Sequence, residues 1–95
     1  MPSKIEGVVV AISDAGNLIT DIAAERLRGV PRDERVTIVC DEHLTNGIFD
    51  ASHTEPESTF LAQLGRDGRL ELIIVGDNAS QMLGIRVGQK VVVTW

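Results

Sequence analysis

Apolar and polar positions along this chain alternate in short blocks rather than at helical spacing. Lys4–Ser13 carries the apolar run Val8-Val9-Val10-Ala11-Ile12 and reads as a first strand; five consecutive apolar residues predict that both of its faces are covered. Asp14-Ala15-Gly16-Asn17 has turn chemistry, and Leu18–Ile22 follows as a second strand, so the pair predicts a hairpin. Ala23–Arg28 holds helix formers but stops at Gly29-Val30-Pro31, which limits it to two turns. Arg35–Cys40 alternates again, with Val36, Ile38 and Cys40 on one face.

Glu42–Asp50 contains the turn dipeptide Asn46-Gly47 and fits either a hairpin or a strand with a bulge. Asp50–Thr59 is polar, acidic and broken by Pro56, the composition of a mobile surface loop. Phe60–Leu64 and Arg69–Val75 are strands joined across Arg66-Asp67-Gly68. Asn78 caps a short helix that Gly84 ends, with Gln81 in capping-box position, and Lys90–Thr94 is the last strand. The pattern predicts one mainly β domain over residues 1–95: about six or seven short strands and one or two short helices. A small closed or nearly closed barrel satisfies so many short edges most economically.

Composition narrows the partners. The chain has 95 residues, 43% of them hydrophobic, and its aromatic residues are Phe49, Phe60 and Trp95 alone, so the core is aliphatic. A net charge of −5 argues against nucleic acid and anionic membrane as partners, since both need basic patches. No apolar run reaches the ~18 residues of a membrane span, and a lone Cys40 forms no intrachain disulfide. With no signal peptide at Met1-Pro2-Ser3-Lys4, the expected location is cytoplasmic.

Catalytic constellations are not evident. The carboxylates Asp14, Asp21, Asp41, Glu42, Glu55 and Glu57 fall in turns or loops without paired spacing. Cys40 sits on an alternating strand as a small core residue, and its sequence neighbour His43 gives no nucleophile–base pair by itself. His43 and His53 lack zinc-motif companions, so no metal site is expected. Gly65-Arg66-Asp67-Gly68 is a hairpin rather than a phosphate loop. Asn17 is a turn residue whose amide also has the donors and acceptor needed to pair with an adenine edge.

Gly-Asn-Leu-Ile-Thr-Asp-Ile at 16–22 resembles the Gly-Asn-x-x-Thr-Asn-Ile signature of the S-adenosylmethionine hydroxide adenosyltransferases, a family that includes the SAM-dependent chlorinases and fluorinases. Gly68-Arg69-Leu70-Glu71-Leu72, Gly76-Asp77-Asn78-Ala79-Ser80 and Leu83-Gly84 are similar to its Gly-x-Leu-Glu-Ile, Gly-Asn-Ala-Ala and Leu-Gly blocks, and Val87–Val93 to its closing strand. The resemblance covers only the family's C-terminal domain and implies a Greek-key-like barrel that supplies adenine and ribose contacts. The larger N-terminal domain, which carries the reaction centre, has no counterpart in these residues.

By that resemblance Asn17 matches the adenine-contacting asparagine, Ala15 stands where an aromatic residue is usual, and Gln63-Leu64-Gly65-Arg66 replaces a Tyr-x-Asn-Ser-like segment. The implied ligand-binding positions are therefore Asn17, Ala15, Gln63 and Arg66. The expectation is a stand-alone, non-catalytic module that self-associates as a homo-oligomer or docks on a separate protein partner, with no cofactor. The alternative is an adenosine or S-adenosylmethionine binding module with a partly degenerate pocket, even half of a split SAM-hydrolysing enzyme.

Overall fold

The structure, a computed structural model, describes residues 3–95. Eight strands form a nearly closed barrel: β1 (Lys4–Ile12), β2 (Leu18–Ala23), β3 (Thr37–Cys40), β4 (His43–Asn46), β5 (Ile48–Asp50), β6 (Phe60–Leu64), β7 (Arg69–Ile74) and β8 (Lys90–Thr94). One short helix, α1 (Ala79–Leu83), and one 3-10 turn (Ala24–Leu27) complete it. The strand order is β4-β3-β8-β1-β2-β7-β6-β5, antiparallel throughout except for β5 on β6. The last strand thus lies between β1 and β3 and ties the two ends of the chain together.

The strand count exceeds the six or seven expected because Glu42–Asp50 is neither a simple hairpin nor one strand. At Gly47 the chain leaves one end of the sheet, where β4 pairs with β3, and joins the other, where β5 runs parallel to β6. Gly47 N–H donates to Val36 O (3.0 Å) and Ile48 N–H to Arg32 O (3.0 Å), which fixes the crossing. Thr45 Oγ1 donates to Phe60 O across the remaining gap (3.2 Å). The barrel therefore closes partly through covalent continuity instead of a full ladder.

Alternation reports the inside well for β3 and β8: Val36, Ile38, Cys40, Val91 and Val93 are buried, while Thr37, Val39, Val92 and Thr94 are half-buried. They join Val9, Leu18, Ile22, Leu70 and Leu72 in one aliphatic core. For β1 the expectation of two covered faces is wrong. Val9 is fully buried, yet Val10 and Ile12 remain 39% and 38% exposed, because no second layer packs outside the barrel. The 3-10 turn replaces the expected helical turns at Ala23–Arg28, with Leu27 as its buried anchor.

Segment 51–59 has no regular structure but is held at both ends. His53 N–H donates to Asp50 O (3.0 Å), and Ser58 N–H to Val75 O (2.8 Å). Asn78 caps α1 by accepting from Gln81 N–H (2.9 Å), and Gly84 ends it in the left-handed region. The reciprocal half of the capping box is taken by another residue: Asn78 N–H donates to Asp77 Oδ1 (2.9 Å).

Candidate functional site

The β1–β2 hairpin turn and the end of β7 border a cleft of about 570 Å³, lined by Ala15, Asn17, Ala51, His53, Gln63 and the run Ile73–Asn78. That volume is in the roughly 300–1,000 Å³ range of small-molecule sites. A neighbouring cleft of about 400 Å³ shares Ala51 and Gln63 and adds Gly65, Arg66, Asp67 and Glu71. Of the four positions singled out from the sequence, Ala15, Asn17 and Gln63 line the larger cleft. Arg66 lines only the smaller one, beside Gln63.

The turn that presents Asn17 is built locally. Ser13 N–H donates to Asn17 O (3.0 Å), Gly16 N–H to Ser13 O (2.8 Å), and Asn17 N–H to Ser13 Oγ (3.1 Å). Ser13, and not Asp14, supplies the side-chain cap, and only Gly16 of this turn has a positive φ (+88°). Gly16 O accepts Ser80 N–H at 3.0 Å, so the turn also occupies one of the donors at the start of α1. Gln81 N–H is taken by Asn78, which makes that helix start self-capped rather than an anion site.

The other residues of the signature are structural. Thr20 is fully buried; its Oγ1 donates to Leu70 O (2.7 Å) and accepts Ile22 N–H (3.2 Å). Asp21 Oδ1 accepts Val8 N–H (2.9 Å) where the β1–β2 register breaks. Asn17 differs: its side-chain amide makes no hydrogen bond among the described residues and borders the cleft.

The shared floor of the two clefts is a polar chain. His53 Nδ1 accepts Glu55 N–H (3.1 Å), so Nε2 carries the ring proton and donates to Gln63 Oε1 (3.1 Å). Gln63 Nε2 then donates to Glu71 Oε1 (3.0 Å), and Gln63 itself is buried. Phe49 meets the His53 ring edge-on at 5.9 Å. A Cβ on Gly65 would lie 2.3 Å from Glu71 Oε2, so this glycine lets the carboxylate cross the hairpin. With both amide ends engaged, Gln63 presents a fixed orientation to either cleft.

Residues that sequence reasoning missed at the cleft are His53, weighed only as a metal ligand, and Asp77, which sits beside the recognised cap Asn78. The apolar wall comes from Ile73 and Ile74, 7% and 8% exposed, with Ala15 and Ala51 nearby; no phenylalanine, tyrosine or tryptophan lines the cleft. Away from the clefts, Cys40 is buried, and burial together with the Asp41 charge pushes its thiol up to about 11. His43 is its cross-strand partner, but His43 Nε2 lies 3.0 Å from Leu83 O. Among the described residues, no helix is long and apolar enough to cross a membrane.

The fold is similar to solved structures of larger chains. A crystal structure of an uncharacterized conserved protein from Thermotoga maritima matches with a TM-score of 0.76 and 20% identity, covering 95% of this chain and 35% of that one. The crystal structure of a conserved hypothetical protein from Thermus thermophilus matches with a TM-score of 0.68 and 21% identity, over 90% of this chain and 31% of that one. The chain spans about a third of the length of these structures. No curated protein sequence matches it. The family model for the SAM hydroxide adenosyltransferase C-terminal domain matches residues 7–92. With that match running through nearly every strand of the barrel, the chain belongs to the SAM hydroxide adenosyltransferase C-terminal domain family.

Proposed function

We propose that this domain is a non-catalytic module that holds the nucleoside part of an adenosyl ligand, adenosine or S-adenosylmethionine, for another protein surface to act on. The observation that carries this is the unpaired Asn17 amide bordering a cleft of about 570 Å³ with an aliphatic wall. A carboxamide offers two donors and an acceptor, enough to pair with the edge of adenine, and Ile73, Ile74 and Ala15 give its faces apolar contact. The missing ring makes the affinity modest, since stacking contributes roughly 1–3 kcal/mol per base.

Support for a non-catalytic role comes from how the reactive side chains are used. The Cys40 thiol is buried and its pKa raised, and both histidines have their Nε2 atoms tied to neighbours. Neither group therefore offers the cleft a thiolate or a free imidazole for cysteine- or histidine-based chemistry. An NMR titration of the chain with adenosine and S-adenosylmethionine tests the reading. Saturable shifts at the amides of residues 14–20 and 63–68 are expected; no shift at millimolar ligand would contradict it.

A second reading, docking through the outside of the barrel, is favoured by one row of side chains. Leu44, Val39 and Val92 are cross-strand partners on the outer face of β4, β3 and β8, and Leu44 is 57% exposed. The two readings are compatible, because the row lies on the sheet and the cleft on the β7 side.

A further inference from the structure

We infer that residues 54–57 form a pH-sensitive flap at the rim of the larger cleft, closed while the His53 ring is neutral and loosened when the ring takes up a proton. The flap works in the same way whatever the cleft holds. It is tied down sparingly. At its far end Ser58 N–H donates to Val75 O (2.8 Å), and Glu57 packs against Gly76, which lines the cleft. Between that end and the turn at Asp50, the hydrogen bonds that hold the segment among the described residues are those of the His53 ring.

Hydrogen-bond chemistry confines that ring to one state. A backbone N–H can only donate, so Nδ1, 3.1 Å from the nitrogen of Glu55, is the unprotonated one. The other end is set from across the floor. Ionised Glu71 only accepts, so it takes Gln63 Nε2 (3.0 Å) and leaves Gln63 Oε1 facing His53 Nε2 (3.1 Å), which must donate. Both ends demand the same neutral tautomer. A proton added at Nδ1 sets two N–H groups against each other and ends the 53–55 turn, while Nε2 still reaches Gln63. The ring is half-buried, so solvent protons have access to it. Of the charged groups on the surrounding elements, Glu55 and Glu57 belong to the flap, Asp50 ends β5, Glu71 lies on β7 and Asp77 follows it. Arg66 and Asp67 stand beyond Gln63 in the smaller cleft. Carboxylates as a class titrate below imidazole, whose change of charge falls between about pH 5 and 8, and substitution separates the two.

The test is NMR of the full chain between about pH 8 and 5. At the upper end the His53 ring nitrogens should report the Nε2–H tautomer. On acidification, exchange of the Glu55 amide, corrected for its intrinsic pH dependence, should speed up by about fivefold or more, in step with the His53 ring signals. Proximity signals between the Glu57 side chain and Gly76 should weaken over the same range. His53→Asn keeps an acceptor for Glu55 N–H at every pH, so this variant should keep the amide protected and lose the step. A wild-type ring in the Nδ1–H tautomer would overturn the flap, as would a Glu55 amide or a Glu57–Gly76 contact indifferent to the His53 titration. A step that survives His53→Asn would overturn it too, and would assign the change to a carboxylate.

Discussion

Gly16 lies against the side chain of Asn78 so closely that a Cβ added to it would sit 2.1 Å from Asn78 Cγ. The contact joins the turn that presents Asn17 to the cap of α1, and Gly16 O receives Ser80 N–H across it. Glycine is required twice over here, by this approach and by a φ of +88°. Gly16→Ala should therefore lower stability by about 2 kcal/mol. Asn78→Ala alone loses the cap, at about 1 kcal/mol. Urea unfolding of the double variant should show less than the sum of the two, since removing Asn78 also removes the clash.

Thr20 makes a second structural prediction. Thr20→Val keeps the shape but strands Leu70 O and Ile22 N–H in the core, so it should cost about 2 kcal/mol. Thr20→Ser retains the hydroxyl and should cost about half as much. Similar losses for the two variants would mean that packing, not hydrogen bonding, explains this position.

What the sequence showed and hid follows from the range of each interaction. The cap at Asn78, the Asp67-Gly68 hairpin and the alternation of Val36, Ile38 and Cys40 are local, and all appear in the fold. Local pattern could not tell that the chain changes sheet end at Gly47, because that depends on β3 and β6 being in place. It also could not tell which face of Val8–Ile12 is open, since an unbroken apolar run carries no period. At the cleft, Asn17, Ala15 and Gln63 were marked by resemblance. The His53–Gln63–Glu71 chain joins three separate elements and leaves no trace in spacing.

Cys40 should resist alkylation at pH 8 in the folded protein and react on unfolding, because its thiol is pushed up to about 11 from 9.0. The same shift has a sign for stability. Between those values the unfolded chain gives up the proton that the folded one keeps, so this contribution is present below pH 9 and is lost as pH rises towards 11. Cys40→Ala should flatten that alkaline loss in thermal unfolding scans. Fast labelling of native protein at pH 8 would contradict this placement of the thiol.

The outer row offers a test of docking. Leu44→Glu places a charge beside Val39, where the residue is already 57% exposed, so stability should change by about 0.5 kcal/mol or less. Any self-association seen by light scattering should weaken in this variant. A dimer unaffected by Leu44→Glu would place the contact elsewhere.

Calorimetric titration of adenosine into the wild type, Asn17→Ala and Ala15→Phe tests nucleoside binding at the cleft most directly. Weak, saturable binding is expected for the wild type, and loss of binding for Asn17→Ala with its fold intact. Ala15→Phe should bind more tightly, because it adds a ring at the edge of the cleft. Absence of binding heat from all three proteins, each shown to be folded, would contradict a nucleoside site.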